Sequence, residues 1–204
     1  MILVLASKNP GKIREIETSL AIPSLTCQSL NDFPDLPEII EDGASFLENA
    51  FKKAQTISKS LNLPVLADDS GLEVDFLQGA PGILSARFAG SRATDRENNE
   101  KLLALLKEVP EAERKARFVC VLILHCPSGD WFQTGGICEG RITRAPKGLQ
   151  GFGYDPVFYL PALQKTMAEL PLDFKNRISH RALALEKMRP HLLSLGQASG
   201  LDKG

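Results

Sequence analysis

Two neighbouring aspartates are the first residues of this chain whose types and spacing point to chemistry. Asp68 and Asp69 follow the apolar run VLA and precede Ser70 and Gly71. Adjacent carboxylates repel each other, so they require water, a cation or hydrogen-bond donors. One or two carboxylates, completed by water and phosphate, suit Mg²⁺. The alternative is a simple turn, because Asp-Ser-Gly is favourable turn chemistry.

A third carboxylate, Glu41, lies just before a predicted helix that carries Lys53. The strand over 64–68 is predicted to end at this pair of aspartates. Because successive side chains of a strand point to opposite faces, the two aspartates face one site only if the strand ends between them. The DxDx[TV] pattern of aspartyl-phosphate phosphatases is absent from the sequence, which disfavours that chemistry.

A segment rich in hydrogen-bond donors follows the first apolar run, at a predicted helix start. Helix N-termini attract anions because their N–H groups and the helix dipole point outward, and two lysines add positive charge. The segment is not a Walker A loop, since GxxxxGK[ST] is absent. A plain strand-to-helix turn with solvated lysines is the alternative. Its residues are Ser7, Lys8, Asn9, Pro10, Gly11 and Lys12.

A glycine-rich segment near residue 150 combines aromatic rings with backbone that can approach a ligand closely. Phe152 and Tyr154 offer ring faces suited to a nucleobase. The alternative is a tight turn whose aromatic rings belong to the core. The segment consists of Gly151, Phe152, Gly153, Tyr154, Asp155 and Pro156.

Cationic side chains gather near the start of the last predicted helix. His180 and Arg181 fall on its first turn, where a cation opposes the helix dipole unless an anion lies nearby. The planar fork of Arg181 suits base carbonyls or phosphate, and Lys175 precedes it. A solvent-exposed helix end is the alternative. Taken together, the phosphate donors, carboxylates, aromatic rings and cations predict a site for a nucleoside triphosphate.

The elements that position these residues alternate between apolar runs and amphipathic helices, which predicts an α/β fold with a mixed sheet. Helices are predicted to start at the capping boxes Ser45–Glu48 and Thr94–Glu97 and to cover 180–195. Residues 1–195 are predicted to form one domain, and 196–204 a disordered tail. Strands are predicted over 2–6, 64–68, 118–124 and 131–143, the last two as a hairpin.

The composition disfavours several classes of protein. The 204 residues include 43% hydrophobic and 24% charged residues, with a formal net charge of -1. This lacks the basic field of many nucleic-acid-binding proteins. The four cysteines form no CxxC pair and indicate buried thiols in a reducing compartment. Since no run reaches the about 18 apolar residues of a membrane span, and the N-terminal run is too short for a signal peptide, a cytoplasmic location without membrane binding is predicted.

Five ordered segments resemble the inosine triphosphate pyrophosphatases, also called the Ham1-like family. ASKNPGK is similar to the opening T-x-N-x-x-K segment of that family, with Ser7 where threonine is common. Phe174 stands where an acidic residue is frequent. The resemblance runs from residue 2 to about 194 and continues in EDGASFLENAFKKA, LADDSGLEVDFLQGAPGILSARFAG, EGRITRAPKGLQGFGYDPVF and FKNRISHRALAL.

The resemblance implies an elongated mixed β-sheet flanked by helices, with two lobes and a central cleft, usually in a homodimer. It also implies that water and Mg²⁺ are used to hydrolyse ITP, dITP and XTP to the nucleoside monophosphate and pyrophosphate. The activity would remove deaminated purines from the nucleotide pool. The implied partner is a small-molecule nucleotide, with no nucleic acid.

The resemblance further implies a role for each site residue. Asp69 is implied as proton acceptor and metal ligand, with Asp68 as the alternative base and Glu41 as the second metal ligand. His180 and Arg181 are the candidates for the 6-oxo group, because donors that face a keto oxygen stay unpaired against the amino group of adenine. The other implied substrate contacts are Ser7 to Lys12, Lys53 and Ser70 on the phosphate side, and Phe152, Gly153, Tyr154, Asp155 and Lys175 on the base side.

Two other functions are weighed against this one. A related pyrophosphatase of the Maf type would act on dTTP, UTP or modified pyrimidines, but the SHR triplet after an FGYDP block speaks against it. A nucleotide-binding sensor without turnover is the second alternative. The set of Glu41, Asp68 and Asp69 speaks against a sensor, because binding alone does not need these carboxylates.

Overall fold

A computed structural model of the chain describes residues 1–36 and 39–198. Within these residues, seven strands form one sheet in the order β2-β1-β3-β4-β5-β6-β7. The strands are β1 (Ile2–Leu5), β2 (Thr26–Ser29), β3 (Val65–Val74), β4 (Lys115–His125), β5 (Trp131–Ile142), β6 (Phe158–Leu160) and β7 (Lys165–Thr166). The α-helices are α1 (Pro10–Leu20), α2 (Phe46–Leu61), α3 (Asp95–Leu105), α4 (Leu172–Ile178) and α5 (His180–Ala198).

The sheet is mixed, as predicted. β1 pairs in parallel with β2 and with β3, whereas β6 pairs antiparallel with β5 and with β7. The chain divides into two compact units. The first unit contains residues 1–69, 120–136 and 181–198, and the second contains 70–119 and 137–180.

The first unit brings two predicted site segments to one edge of the sheet. Leu5 of β1 lies opposite Leu66 of β3, and the amide of Ala6 donates to the Leu66 carbonyl at 2.9 Å. In a parallel pair the chains leave both strands in the same direction. The turn into α1 therefore lies beside the residues that follow Leu66, which include Asp68.

Local capping explains where the helices of the first unit begin. The side chain of Asn9 accepts from the backbone N–H of Lys12 and caps α1, with Pro10 as the first helical residue. Ser45 caps α2 by accepting from the Glu48 N–H, as the capping-box pattern predicts. Buried apolar residues of β1, β3, β4, α1 and α5 then pack into one core, and those of α2 pack on β1 and β3 in another.

The second unit has its own apolar core, which contains residues from β3, β4, β5, β6 and α3. The capping box of Thr94 and Glu97 is formed at the start of α3. In the antiparallel pair β5–β6, Arg141 lies opposite Tyr159. Directly opposite residues project from the same face of a sheet, so these two side chains share a face.

The structure corrects two local predictions. β3 continues to Val74 and does not end at the aspartates, because Leu72 and Val74 are buried and extend the strand into the second core. Helix α4, between Pro171 and Ser179, was not predicted, because its seven residues are too few to show an apolar period.

The predicted tail only partly falls within the described residues. α5 continues to Ala198, and residues 199–204 of that tail lie outside the described chain. No helix in the part of the chain that the structure describes has the length and apolar character to cross a membrane.

Candidate active site

The two aspartates of β3 have different partners, as the alternation of a strand requires. Asp68 is 2% exposed. Its Oδ2 accepts from Arg181 Nε at 2.8 Å and from Cys120 Sγ at 3.1 Å. Lys12 forms an ion pair with its Oδ1. Asp68 thus lies among donors on the face of β3 that packs towards α1 and α5.

Charge compensation keeps Asp68 ionised. Burial opposes its ionisation, but the charges of Arg181 and Lys12 together hold the pKa of this carboxyl well below its usual value. Arg181, which is 1% exposed, also forms an ion pair with Glu15 of α1. Burial lowers the pKa of Arg181, but Asp68 and Glu15 outweigh it and raise the pKa overall. A carboxylate with so low a pKa is a weak base.

Asp69 lies in a different electrostatic environment, although it is only 8% exposed. Burial raises its pKa to about 6, with Lys53 and Lys12 opposing the rise and the negative charges of Glu41 and Asp68 adding to it. A carboxylate whose pKa approaches neutrality can accept a proton near pH 7. Of the two aspartates, Asp69 therefore has the properties of a general base.

Glu41 and Lys53 complete this side of the site. Lys53 Nζ donates to Glu41 Oε1 at 2.5 Å, and Lys53 is itself largely buried on α2. A cavity of about 370 Å³ lies beside them in the first unit. It is lined by Ala6, Lys8, Leu30, Phe33, Leu36, Ile39, Glu41 and Lys53.

The carboxylates fit a hard divalent cation better than a transition metal. Among the described residues there is no cluster of three His, Cys, Asp or Glu side chains that could hold a metal ion. Magnesium does not require one, because it takes one or two carboxylates and completes its shell with water and phosphate. Burial is the main cause of the raised pKa of Asp69, and the negative charge of Glu41 adds to it. The two carboxylates thus interact, and a cation would relieve their repulsion.

The turn from β1 into α1 is built by the predicted polar residues themselves. Asn9 N–H donates to Ser7 Oγ at 3.1 Å, while Asn9 Oδ1 accepts from the Lys12 N–H at 3.1 Å. The side chain of Lys8 is exposed and lines the cavity. Ser7 and Asn9 therefore fix the turn, and the lysine side chains carry its positive charge.

The glycine-rich segment of the second unit is organised around Asp155, which is buried. Asp155 Oδ2 accepts from the Phe152 N–H at 3.0 Å and forms an ion pair with Lys175. The Lys175 ammonium lies 4.7 Å from the centre of the Phe152 ring. Gly151 has φ +79°, and a Cβ there would overlap the Asp155 carboxylate, so glycine is required.

The other predicted base contacts differ in exposure. Tyr154 is a core residue whose hydroxyl donates to the Ser85 carbonyl at 2.8 Å. Phe152 is only partly buried and is therefore the better candidate for stacking. His180 is buried, and its ring stacks on Phe118 with a centroid distance of 4.8 Å. Ser70 is half-buried at the start of the second unit.

Four residues that support the site were not predicted. Glu15 holds Arg181, and Cys120 donates to Asp68. The Gly153 amide donates to Asp95 Oδ2 at 2.7 Å. Asn99 donates to the Gly153 carbonyl at 2.9 Å. Two side chains of α3 therefore bind the backbone N–H and the carbonyl of Gly153. Asn99 and Glu15 could have been predicted from the sequence, because each is a polar residue on the buried face of an amphipathic helix.

Comparisons with known proteins found one matching family and several similar chains. The profile of the Ham1 family matches residues 3–191. A dITP/XTP pyrophosphatase from Geobacter sulfurreducens is 50% identical over 190 residues, which cover 93% of this chain and 96% of that protein. Among solved structures, a HAM1 protein from Coxiella burnetii is 41% identical, with a TM-score of 0.86 over 95% of this chain and 99% of that one. The Staphylococcus aureus Ham1 protein is 40% identical, with a TM-score of 0.84 over the same shares.

Proposed function

This chain belongs to the Ham1 family, and from that premise we propose how it hydrolyses nucleoside triphosphates of deaminated purines, namely dITP, ITP and XTP. The reaction adds water to the triphosphate and gives the nucleoside monophosphate and pyrophosphate. The observation that carries the mechanism is the buried Asp69, whose pKa burial raises to about 6 beside Lys53 and Lys12. A base of this strength can take the proton of the attacking water near neutral pH.

The phosphate contacts that we propose belong to the first unit. Lys8, Lys12 and Lys53 offer positive charge to the triphosphate, and the N-terminus of α1 offers backbone N–H groups. Developing negative charge on the departing pyrophosphate is stabilised by such fixed donors. Lys12 is held in place by Asp68, so Asp68 serves as a positioning residue for this lysine.

We propose Mg²⁺ as the cofactor, with Glu41 and Asp69 as its protein ligands. When bound, Mg²⁺ would supply positive charge that offsets the triphosphate. One carboxylate cannot be both a tight metal ligand and an effective base, because a cation lowers its pKa. The low pKa of Asp68 makes it a poor substitute as base. We therefore give Glu41 the larger share of metal binding and Asp69 the proton.

The base contacts that we propose belong to the second unit, with Phe152 as the stacking ring and Lys175 and His180 as donors to the 6-oxo group. Asp155 would orient Lys175 through their ion pair. The predicted contact of Arg181 with the 6-oxo group is less favoured, because this guanidinium is 1% exposed and already binds Asp68 and Glu15. We propose instead that Arg181 keeps Asp68 in place. The homodimer and the cytoplasmic location stay predictions, and light scattering of the purified protein tests the first.

A substrate panel tests the proposal. The purified chain is incubated with Mg²⁺ and dITP, ITP, XTP, GTP, ATP, dTTP or UTP, and pyrophosphate release is measured. Fast release from dITP, ITP and XTP is the expected result, and Asp69→Asn should abolish it. Preferential release from dTTP or UTP would favour a Maf-type enzyme. No release from any nucleotide, despite binding, would favour the sensor.

A further inference from the structure

A further cavity of about 330 Å³ lies in the second unit, and four cationic residues are among those that line it. Ligand pockets in proteins start at about this size. The residues that line it are Glu111, Arg114, Arg141, Ile142, Thr143, Arg144, Ala145, Lys147 and Tyr159. Four cations therefore face a single carboxylate, and none of the four belongs to the active site described above.

Arg114 forms a buried part of this wall and has no carboxylate as hydrogen-bond partner. It is 1% exposed, and its guanidinium donates to the carbonyls of Ile142, Leu106, Val109 and Thr143. A guanidinium has five N–H donors, so one of them has no acceptor within the described residues. Carbonyl groups orient the charge of Arg114 but do not neutralise it.

The neighbouring cations are incompletely neutralised, although Glu169 interacts electrostatically with Lys147. Within the described chain, Arg141, Arg144 and Lys147 form no ion pair, and Arg144 Nη1 reaches only the Lys107 carbonyl, at 3.4 Å. Burial lowers the pKa of the Arg114 guanidinium, the positive charge of Arg144 lowers it further, and the negative charge of Glu111 opposes the two without cancelling them. Like charges held this close leave a positive potential that an anion would relieve.

The walls of the cavity are fixed by the fold before any ligand arrives. Arg141 and Tyr159 are directly opposite on β5 and β6, so both side chains project from one face of the sheet. Residues 143–157 connect β5 to β6, and two backbone hydrogen bonds join the start of this segment to its end. The Thr143 amide donates to the Val157 carbonyl at 2.9 Å, and the Lys147 amide donates to the Pro156 carbonyl at 2.8 Å. A preorganised site loses less entropy when it binds a ligand.

We propose that this cavity, lined by Arg114, Arg141, Arg144 and Lys147, is a second anion site that binds a small phosphorylated molecule with at least two negative charges. Guanidinium forks bind phosphate oxygens in pairs, and the half-buried Tyr159 also lines the cavity. Pyrophosphate and the phosphate chain of a nucleotide share this chemistry. The site does not depend on the proposed mechanism of hydrolysis.

The test compares two double variants of the full chain by isothermal titration calorimetry, with EDTA present so that no metal-dependent hydrolysis occurs. Arg144→Gln with Lys147→Gln removes two cations of the cavity, and both residues are exposed. Arg92→Gln with Arg96→Gln removes two exposed cations elsewhere in the same unit and is the matched control. The probes are sodium pyrophosphate, inorganic phosphate and ATP.

Wild type and control should bind two pyrophosphate ions per chain, one at the active site and one in the cavity. The cavity variant should lose one binding event or bind it at least about tenfold more weakly, since a hydrogen bond to a charged group contributes about 1.5–3 kcal/mol. Its kcat/KM for dITP should stay within about twofold of wild type, which separates this result from a failure of the active site. Tighter binding of ATP than of pyrophosphate to the cavity would identify a nucleotide as the ligand, and equal binding would identify the phosphate chain. The proposal is overturned if both double variants bind pyrophosphate with the same stoichiometry and affinity, or if both are weakened equally.

Discussion

Replacing Asp69 with asparagine should make the metal-free protein more stable at neutral pH, even though it should abolish hydrolysis. Burial, the main cause, raises the pKa of Asp69 from 3.8 to about 6. The folded chain therefore binds this proton more tightly than the unfolded chain does. The contribution of this proton to the free energy of unfolding is fully present below about pH 3.8, and it is lost as the pH rises through about 6.

The size of the effect follows from the two pKa values. Their difference corresponds to about 3 kcal/mol, which is the upper limit of what ionised Asp69 costs the folded state at pH 7.5. Asparagine has a similar shape and no charge, so Asp69→Asn should recover part of that energy. Because wild-type Asp69 is mostly protonated at pH 5, the advantage of the variant should be about 1.4 kcal/mol smaller there than at pH 7.5.

The assay is urea unfolding of wild type and Asp69→Asn in EDTA at both pH values, followed by circular dichroism. Asp68→Asn is the matched control, because it makes the same chemical change one residue earlier. Asp68 is the common partner of Arg181 and Lys12, and removing one member of a buried ion pair costs about 3–5 kcal/mol. The two variants should thus shift stability in opposite directions. The reasoning is refuted if Asp69→Asn is less stable than wild type at pH 7.5, or if its advantage is the same at both pH values.

Three further predictions concern Glu41 and the glycine-rich segment. Glu41→Gln should raise the Mg²⁺ concentration needed for half-maximal hydrolysis of dITP by about tenfold, because one proposed metal ligand loses its charge. An unchanged magnesium titration curve would contradict the proposed role of Glu41. Gly151→Ala should cost about 2 kcal/mol in urea unfolding and raise KM for dITP, because φ is +79° and a Cβ would displace Asp155; an unchanged KM would show that this displacement does not reach the base site. Tyr154→Phe should cost about 1 kcal/mol while leaving kcat near the wild-type value, since the Tyr154 hydroxyl donates to the carbonyl of Ser85 in the core. A large loss of kcat would instead indicate that Tyr154 contacts the nucleotide.

The sequence was sufficient where a structure depends on a few neighbouring residues. The caps at Ser45 and Thr94 follow from hydroxyl and carboxylate side chains three residues apart. Thr94 and Glu97 form the full capping box, whereas the Glu48 carboxylate accepts from the Ala44 N–H instead of the Ser45 N–H. The hairpin of β4 and β5 follows in the same way from a short glycine-containing turn, whose Gly129 amide donates to the Cys126 carbonyl. The mixed sheet then follows from the alternation of such elements.

The roles of Asp68 and Asp69 could not be assigned in this way, because their environments come from distant parts of the chain. Arg181 lies 113 positions from Asp68 in sequence and decides its pKa together with Lys12. The exposed helix end considered for Arg181 was ruled out only when the structure placed its guanidinium between two carboxylates. The conformation of residues 151–155 also depends on a distant part of the chain, because Asn99, 54 positions away in sequence, donates to the Gly153 carbonyl.

The continuation of β3 through the aspartates explains why one chain needs two of them. A strand that ended at Asp69 could turn both carboxylates towards the substrate, where two adjacent negative charges would repel each other and the triphosphate. Because β3 remains extended to Val74, alternation gives each carboxylate a different set of partners. Asp68 is buried with Lys12 and Arg181, which keep it charged and make it an anchor. Asp69 is buried with less compensation, which suits it to the proposed role of base. The alternation of the strand, rather than any difference between the two residue types, gives the two aspartates opposite pKa shifts and thereby supports the two proposed roles.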